Sequence, residues 1–173
     1  LIRCGGTAFI AETTETFGAG HLLTRRAKTP EIGQTYLDYV ADYRTYLATG
    51  GGTPENNLAY GNMEGGLSTI AEKALGSVAK GGTSALCWVN DYAELITEKG
   101  FGFMNTPAFD PASCTGQTAG GAQLGVFSTG AGSCFGGILV PWLKVVSNSD
   151  TFERMEDMEI NAGGIADGVD SFE

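Results

Sequence analysis

Residues 104–137, MNTPAFDPASCTGQTAGGAQLGVFSTGAGSCFGG, combine glycine and small hydroxyl residues with almost no charge. Ordering such backbone is entropically expensive and returns little side-chain packing, so it belongs where main chain closes on a ligand or on another backbone. Within it, residues 124–128 read as a strand that runs straight into Thr129, Gly130, Ala131, Gly132 and Ser133. An α/β sheet presents backbone donors at its carboxyl edge in this way. Thr129, Gly130, Gly132 and Ser133 are therefore expected to line a site for a small anionic or polyhydroxylated ligand.

Working outward, residues 84–89, 100–104 and 143–147 read as short buried strands, and residues 7–11 as an alternating one. Helical signals lie between them. A polar turn over residues 12–18 leads into a helix near 19–27. Thr29, Pro30 and Glu31 then supply a cap, a first-turn proline and an acid at the positive helix end. Ile32, Tyr36, Tyr39, Val40, Tyr43 and Leu47 recur at three- and four-residue steps, so this helix buries one stripe before three glycines at 50–52 end it. Thr69 and Glu72 match a capping box that opens a helix to Lys80. Residues 150–158 predict a last amphipathic helix, and 161–173 a tail polar enough to fray. Alternating helices and strands predict one α/β domain over residues 1–173, with a layered, mainly parallel sheet flanked by helices.

At 173 residues and 42% apolar content the chain is long enough for a real core. No apolar run approaches the ~20 residues that span a bilayer, and no charged-then-apolar leader opens the sequence, so neither a membrane nor secretion is expected. The four cysteines are widely spaced, without a CxxC pair, which argues against a zinc knuckle or redox dithiol and for reducing cytoplasm. A net charge of -10 disfavours nucleic acid. It also means that an anionic substrate must be held by local donors, lysines or a metal.

Glu12, Glu15 and His21 lie within ten residues at the carboxyl end of the first expected strand. Oxygen and imidazole donors suit divalent iron or manganese, while the same residues also flank helices for local reasons. Lys73 opens a helix after a glycine-rich loop, where it neutralises a substrate carboxylate, acts as a base if desolvated, or simply pairs with a neighbouring acid. Asn62, Glu64, Asp110, Thr115 and Gln117 are read as polar loop residues able to hold hydroxyls or to build turns. The run Gly132-Ser133-Cys134-Phe135-Gly136 has the form of a nucleophile elbow, but the sole histidine precedes it, the wrong chain order for a hydrolase. The neighbouring glycines miss the dinucleotide fingerprint, with Pro141 where a helix is needed.

The block at 104–137, with Ala59-Tyr-Gly-Asn-Met-Glu-Gly-Gly-Leu67, Glu72-Lys73-Ala74-Leu75-Gly76 and the run from Met155 to Gly164, resembles the altronate and galactarate dehydratases and their sulfolactate sulfo-lyase relatives, in order along nearly the whole chain. Ala131 stands where that family has arginine, Asn105 where it has aspartate, and the acidic run at Met155 to Met158 is one residue short. Near the start, Arg3-Cys4-Gly5-Gly6-Thr7 fuses two family motifs, through either a deleted turn or a segment absent from the chain.

The resemblance implies metal-assisted dehydration of a sugar acid to a 2-keto-3-deoxy acid, with Fe2+ or Mn2+ held by Glu12, Glu15 and His21 and with Lys73 in the site. It equally admits sulfite release from sulfolactate, or a non-catalytic domain that completes a partner domain's site. The partners it implies are a small-molecule sugar acid and amino-terminal domains of the same enzyme, and a homo-oligomer is compatible with it.

Overall fold

A computed structural model describes residues 1–53, 58 and 60–171. Ala59, where one family-like motif begins, and the last two residues of the expected fraying tail lie outside the described residues. The chain divides into two compact units, Leu1–Gly121 and Ala122–Glu173.

In the first unit, strands β1 (Thr7–Ala11), β2 (Leu86–Asn90) and β3 (Gly100–Met104) form a parallel sheet in the order β1-β3-β2. Its helices are α1 (His21–Thr24), α2 (Pro30–Thr49), α3 (Tyr60–Glu64), α4 (Ile70–Ala79) and α5 (Asp110–Ala119). The caps act as expected: Thr29 accepts from the Ile32 amide, and Thr69 from that of Glu72. Leu23, Tyr36, Ala74, Val78, Leu86, Phe101 and Phe103 form the core between sheet and helices. Burying each large member stabilises the unit by about 1.5–3 kcal/mol. The central strand carries Gly102 because Trp88, its cross-strand neighbour, lies flat over that position and a Cβ would run into the indole.

The second unit repeats the plan in small. Strands β4 (Gly125–Thr129), β5 (Trp142–Val146) and β6 (Ile160–Asn161) form another parallel sheet in the order β4-β5-β6, with α6 (Ser149–Arg154) and α7 (Gly163–Ala166). Gly125 again accommodates a cross-strand tryptophan, Trp142.

The expected α/β class and parallel pairing are thus observed, with the strands divided between two sheets. Several local expectations need correction. The helix expected near 19–27 is a single turn, α1, because Gly18 has φ +91 and Gly20 sits where a Cβ would strike the Tyr36 ring. The helix expected over 150–158, α6, stops at Arg154, and the stretch expected to fray from 161 carries the end of β6 and a further short helix, α7. Asp110, Thr115 and Gln117, read as loop residues, lie on α5, and Asn62 and Glu64 lie on α3. Among the described residues no helix is long and apolar enough to cross a membrane.

Candidate functional site

Parallel pairing brings the carboxyl ends of β1, β2 and β3 to one edge, where three strand exits are tied together. The Thr13 amide donates to the Thr106 carbonyl and the Glu12 amide to Thr106 Oγ1, each at 3.0 Å. Thr13 Oγ1 donates to Asn105 Oδ1 at 2.7 Å, and Asn105 Nδ2 to Asp91 Oδ1 at 2.9 Å. Asn105 thus bridges a donor and an acceptor. An aspartate there would keep the first bond and face Asp91 with a like charge.

Glu12 leaves β1 with φ +72, a left-handed conformation that non-glycine residues rarely adopt. Such an outlier persists only where its surroundings over-determine it, and it tends to sit where function requires the geometry. Here the surroundings are the two bonds from residues 12 and 13 to Thr106, which is itself fully buried.

Helices α4 and α5 complete the cluster. From α5, Ser113 hydrogen-bonds the Glu12 carboxylate, shares a 2.8 Å bond with Thr106 Oγ1, and accepts from Gln117 Nε2 at 2.9 Å. Burial, then the charges of Glu15 and Asp110, push the Glu12 carboxyl up to about 7, against the opposing influence of Lys80 and Ser113. From α4, Lys73 Nζ meets both oxygens of Glu15 at 2.9 Å. Lys80 caps the same helix and keeps an exposed surface. The protein packed around its ammonium lowers its pKa, with Lys73 adding to the effect and Glu12 and Glu15 opposing it. Burial, with Glu12 and Asp110 adding to it, pushes the Cys114 thiol to about 12, so this sulfur is no thiolate nucleophile near neutral pH. The arrangement offers a carboxyl group that titrates near neutrality, the Lys80 ammonium within its field, and the Lys73 ammonium on the neighbouring Glu15.

Of the residues singled out from sequence, Glu12, Glu15, Lys73, Asp110 and Gln117 come together here. His21 is exposed on the first turn of α1, Thr115 is exposed on α5, and Asn62 is half-buried on α3. Among the described residues no group of three or more His, Cys, Asp or Glu side chains is placed to hold one metal ion. Of the three donors expected for a divalent metal, Glu15 is paired with Lys73, Glu12 lies beside it at the sheet edge, and His21 is exposed. Ser113, Thr106 and Lys80 escaped the sequence reading. Lys80 had a usable signal, since it follows Lys73 by seven residues, two helical turns along the same face.

In the second unit, Thr129 ends β4, and Gly130, Gly132 and Ser133 follow it. The Gly132 amide donates to Thr129 Oγ1 at 3.0 Å, and Thr151 Oγ1 donates to the Gly130 carbonyl at 3.1 Å. Gly132 has φ +85 and packs against Met155, so its glycine has a local reason independent of any ligand.

The sequence pattern of the family described as D-galactarate/Altronate dehydratase, C-terminal, matches residues 1–173. The chain is 40% identical over 174 aligned residues to galactarate dehydratase (L-threo-forming) of Escherichia coli, covering 100% of this chain and 33% of that protein. It is 33% identical to altronate dehydratase of Bacillus subtilis, covering 96% and 34%, and 30% identical to the (2R)-sulfolactate sulfo-lyase subunit beta of Chromohalobacter salexigens, covering 95% and 43%. It therefore spans about a third of the length of the first two relatives. The match over its full length places the chain in the galactarate/altronate dehydratase carboxyl-terminal family.

Proposed function

We propose that this chain is the carboxyl-terminal part of a sugar-acid dehydratase of galactarate type, and that Glu12 is its proton acceptor. The observation that carries the reading is the Glu12 carboxyl, held in a strained backbone at the sheet edge and brought near neutrality by burial and neighbouring acids. A base is most effective when its pKa lies near working pH, because it is then both available and strong.

Elimination of water starts with loss of the proton next to the substrate carboxylate. The Glu12 carboxylate takes that proton, the C–H electrons form the new double bond, and the C–O electrons leave with the β-hydroxyl. Lys80, an ammonium already easier to deprotonate than usual, gives the leaving oxygen its proton, and the enol product tautomerises to the 2-keto-3-deoxy acid. Lys73 is less suited to act as base, because its ammonium is held by both Glu15 oxygens. Lys73 instead holds Glu15 in place beside Glu12.

Sulfite release from a sulfolactate starts with the same proton, so one base serves both eliminations. The higher identity to a galactarate dehydratase supports water as the leaving group. The test is keto-acid formation by the full-length protein with galactarate, altronate and sulfolactate as separate substrates. Glu12→Gln should abolish turnover of whichever is used and remove the rise of rate through about pH 7. A variant that keeps the wild-type rate and pH profile overturns the assignment.

A further inference from the structure

Lys144 lies on β5 with 5% of its surface exposed, and its Nζ donates to the Ser133 carbonyl at 3.2 Å. Among the described residues no carboxylate reaches ion-pair distance of that ammonium. The neighbouring acid, Glu159, accepts from the Lys144 backbone amide at 2.6 Å instead. A buried ammonium without a counter-charge is strongly disfavoured, and one carbonyl satisfies only one of its three N–H donors. The turn that it joins, residues 129–133, is also held by the Gly132 amide on Thr129 Oγ1 and by Thr151 Oγ1 on the Gly130 carbonyl. A lysine so placed directs positive charge at a turn that carries no charged side chain of its own.

We propose that Lys144 is the counter-charge for a carboxylate-bearing anion bound within the second unit, where β5 meets the turn at residues 129–133. This goes beyond the function proposed above, which supplies only the class of anion to test. The competing role is a peg, in which Lys144 does nothing but hold the Ser133 carbonyl. The two roles differ in sign. Methionine keeps the length of the stem and removes the charge, so it relieves the desolvation of an anion site that lacks its ligand, but it removes the bond on which a peg depends.

The experiment uses the full-length protein, with thermal melting and calorimetric titration of sodium galactarate, sodium sulfate and neutral galactitol. Lys144→Met should melt no lower than wild type without ligand, bind galactarate at least tenfold more weakly, and respond to galactitol no differently. Unchanged galactarate affinity in Lys144→Met overturns the proposal, as does sulfate matching galactarate on the wild type, which would mark an adventitious ion only. Glu12→Gln separates the two claims: it should keep galactarate affinity within about twofold while losing turnover. Weak binding in Lys144→Met alongside full turnover in Glu12→Gln would leave the anion site standing and remove the base.

Discussion

The two units treat buried charge in opposite ways. At the sheet edge of the first unit, Glu15 is paired with Lys73, while burial and then the charges of Glu15 and Asp110 push the Glu12 carboxyl up to about 7. In the second unit Lys144 is buried, and among the described residues its ammonium meets the Ser133 carbonyl and no carboxylate. A carboxyl held near neutrality is ready to move protons. A buried cation without a counter-charge is suited to take an anion.

The most severe way to break this comparison is at Glu12. In the full-length protein Glu12→Gln should lower turnover by at least about 100-fold, the usual scale for losing a general base. The same variant reports on stability. A carboxyl titrating near 7 when folded and near 4.5 when unfolded binds more protons in the native state between those values, so wild-type stability falls as pH rises through that window. Melting curves of Glu12→Gln should lack that fall. An identical pH dependence in both proteins would show that Glu12 is not the shifted group.

A smaller effect is expected at Lys73. Lys73→Met leaves Glu15 buried without its partner and should destabilise the first unit by about 2 kcal/mol, less than for a fully buried pair because both groups keep some solvent contact. Lys144→Met should move stability the other way, so denaturant titrations of the two variants test the contrast directly. Smallest is Asn105→Asp, which sets a carboxylate against Asp91 Oδ1 and should cost about 1 kcal/mol while raising the Glu12 pKa further. An upward shift of the pH–rate profile would show that Asn105 tunes the cluster.

Strands β1 to β5 were legible because each is a short apolar run bounded by turn residues, whereas β6, two exposed residues, was not; the caps at Thr29 and Thr69 were legible because capping is local. Helix α5 was not. Its glycines and hydroxyl residues are poor helix formers, and only the Asp110-Pro111 start argued for it. What stabilises it is tertiary: the Tyr92 ring packs where a Cβ on Gly116 would lie, and Ser113 reaches the sheet edge. Glu12 was visible as a site residue, but its proposed role as base was not, because burial and backbone strain follow from a pairing that no local pattern encodes. Lys144 occupies an inward position of a five-residue strand between Trp142 and Val146, a charge at an apolar position that could have been noticed.

The bond from the Glu12 amide to Thr106 Oγ1 joins residues 94 apart in sequence, and β1 finds its neighbour only at Gly100–Met104. Such long-range parallel pairings form late in folding. At a synthesis rate of about 5–20 residues per second, β1 leaves the ribosome some 5–20 s before its partner strand exists. For that interval Glu12 is an ordinary surface acid on an unpaired segment, and the proton chemistry proposed for it begins only when the third strand arrives between the other two.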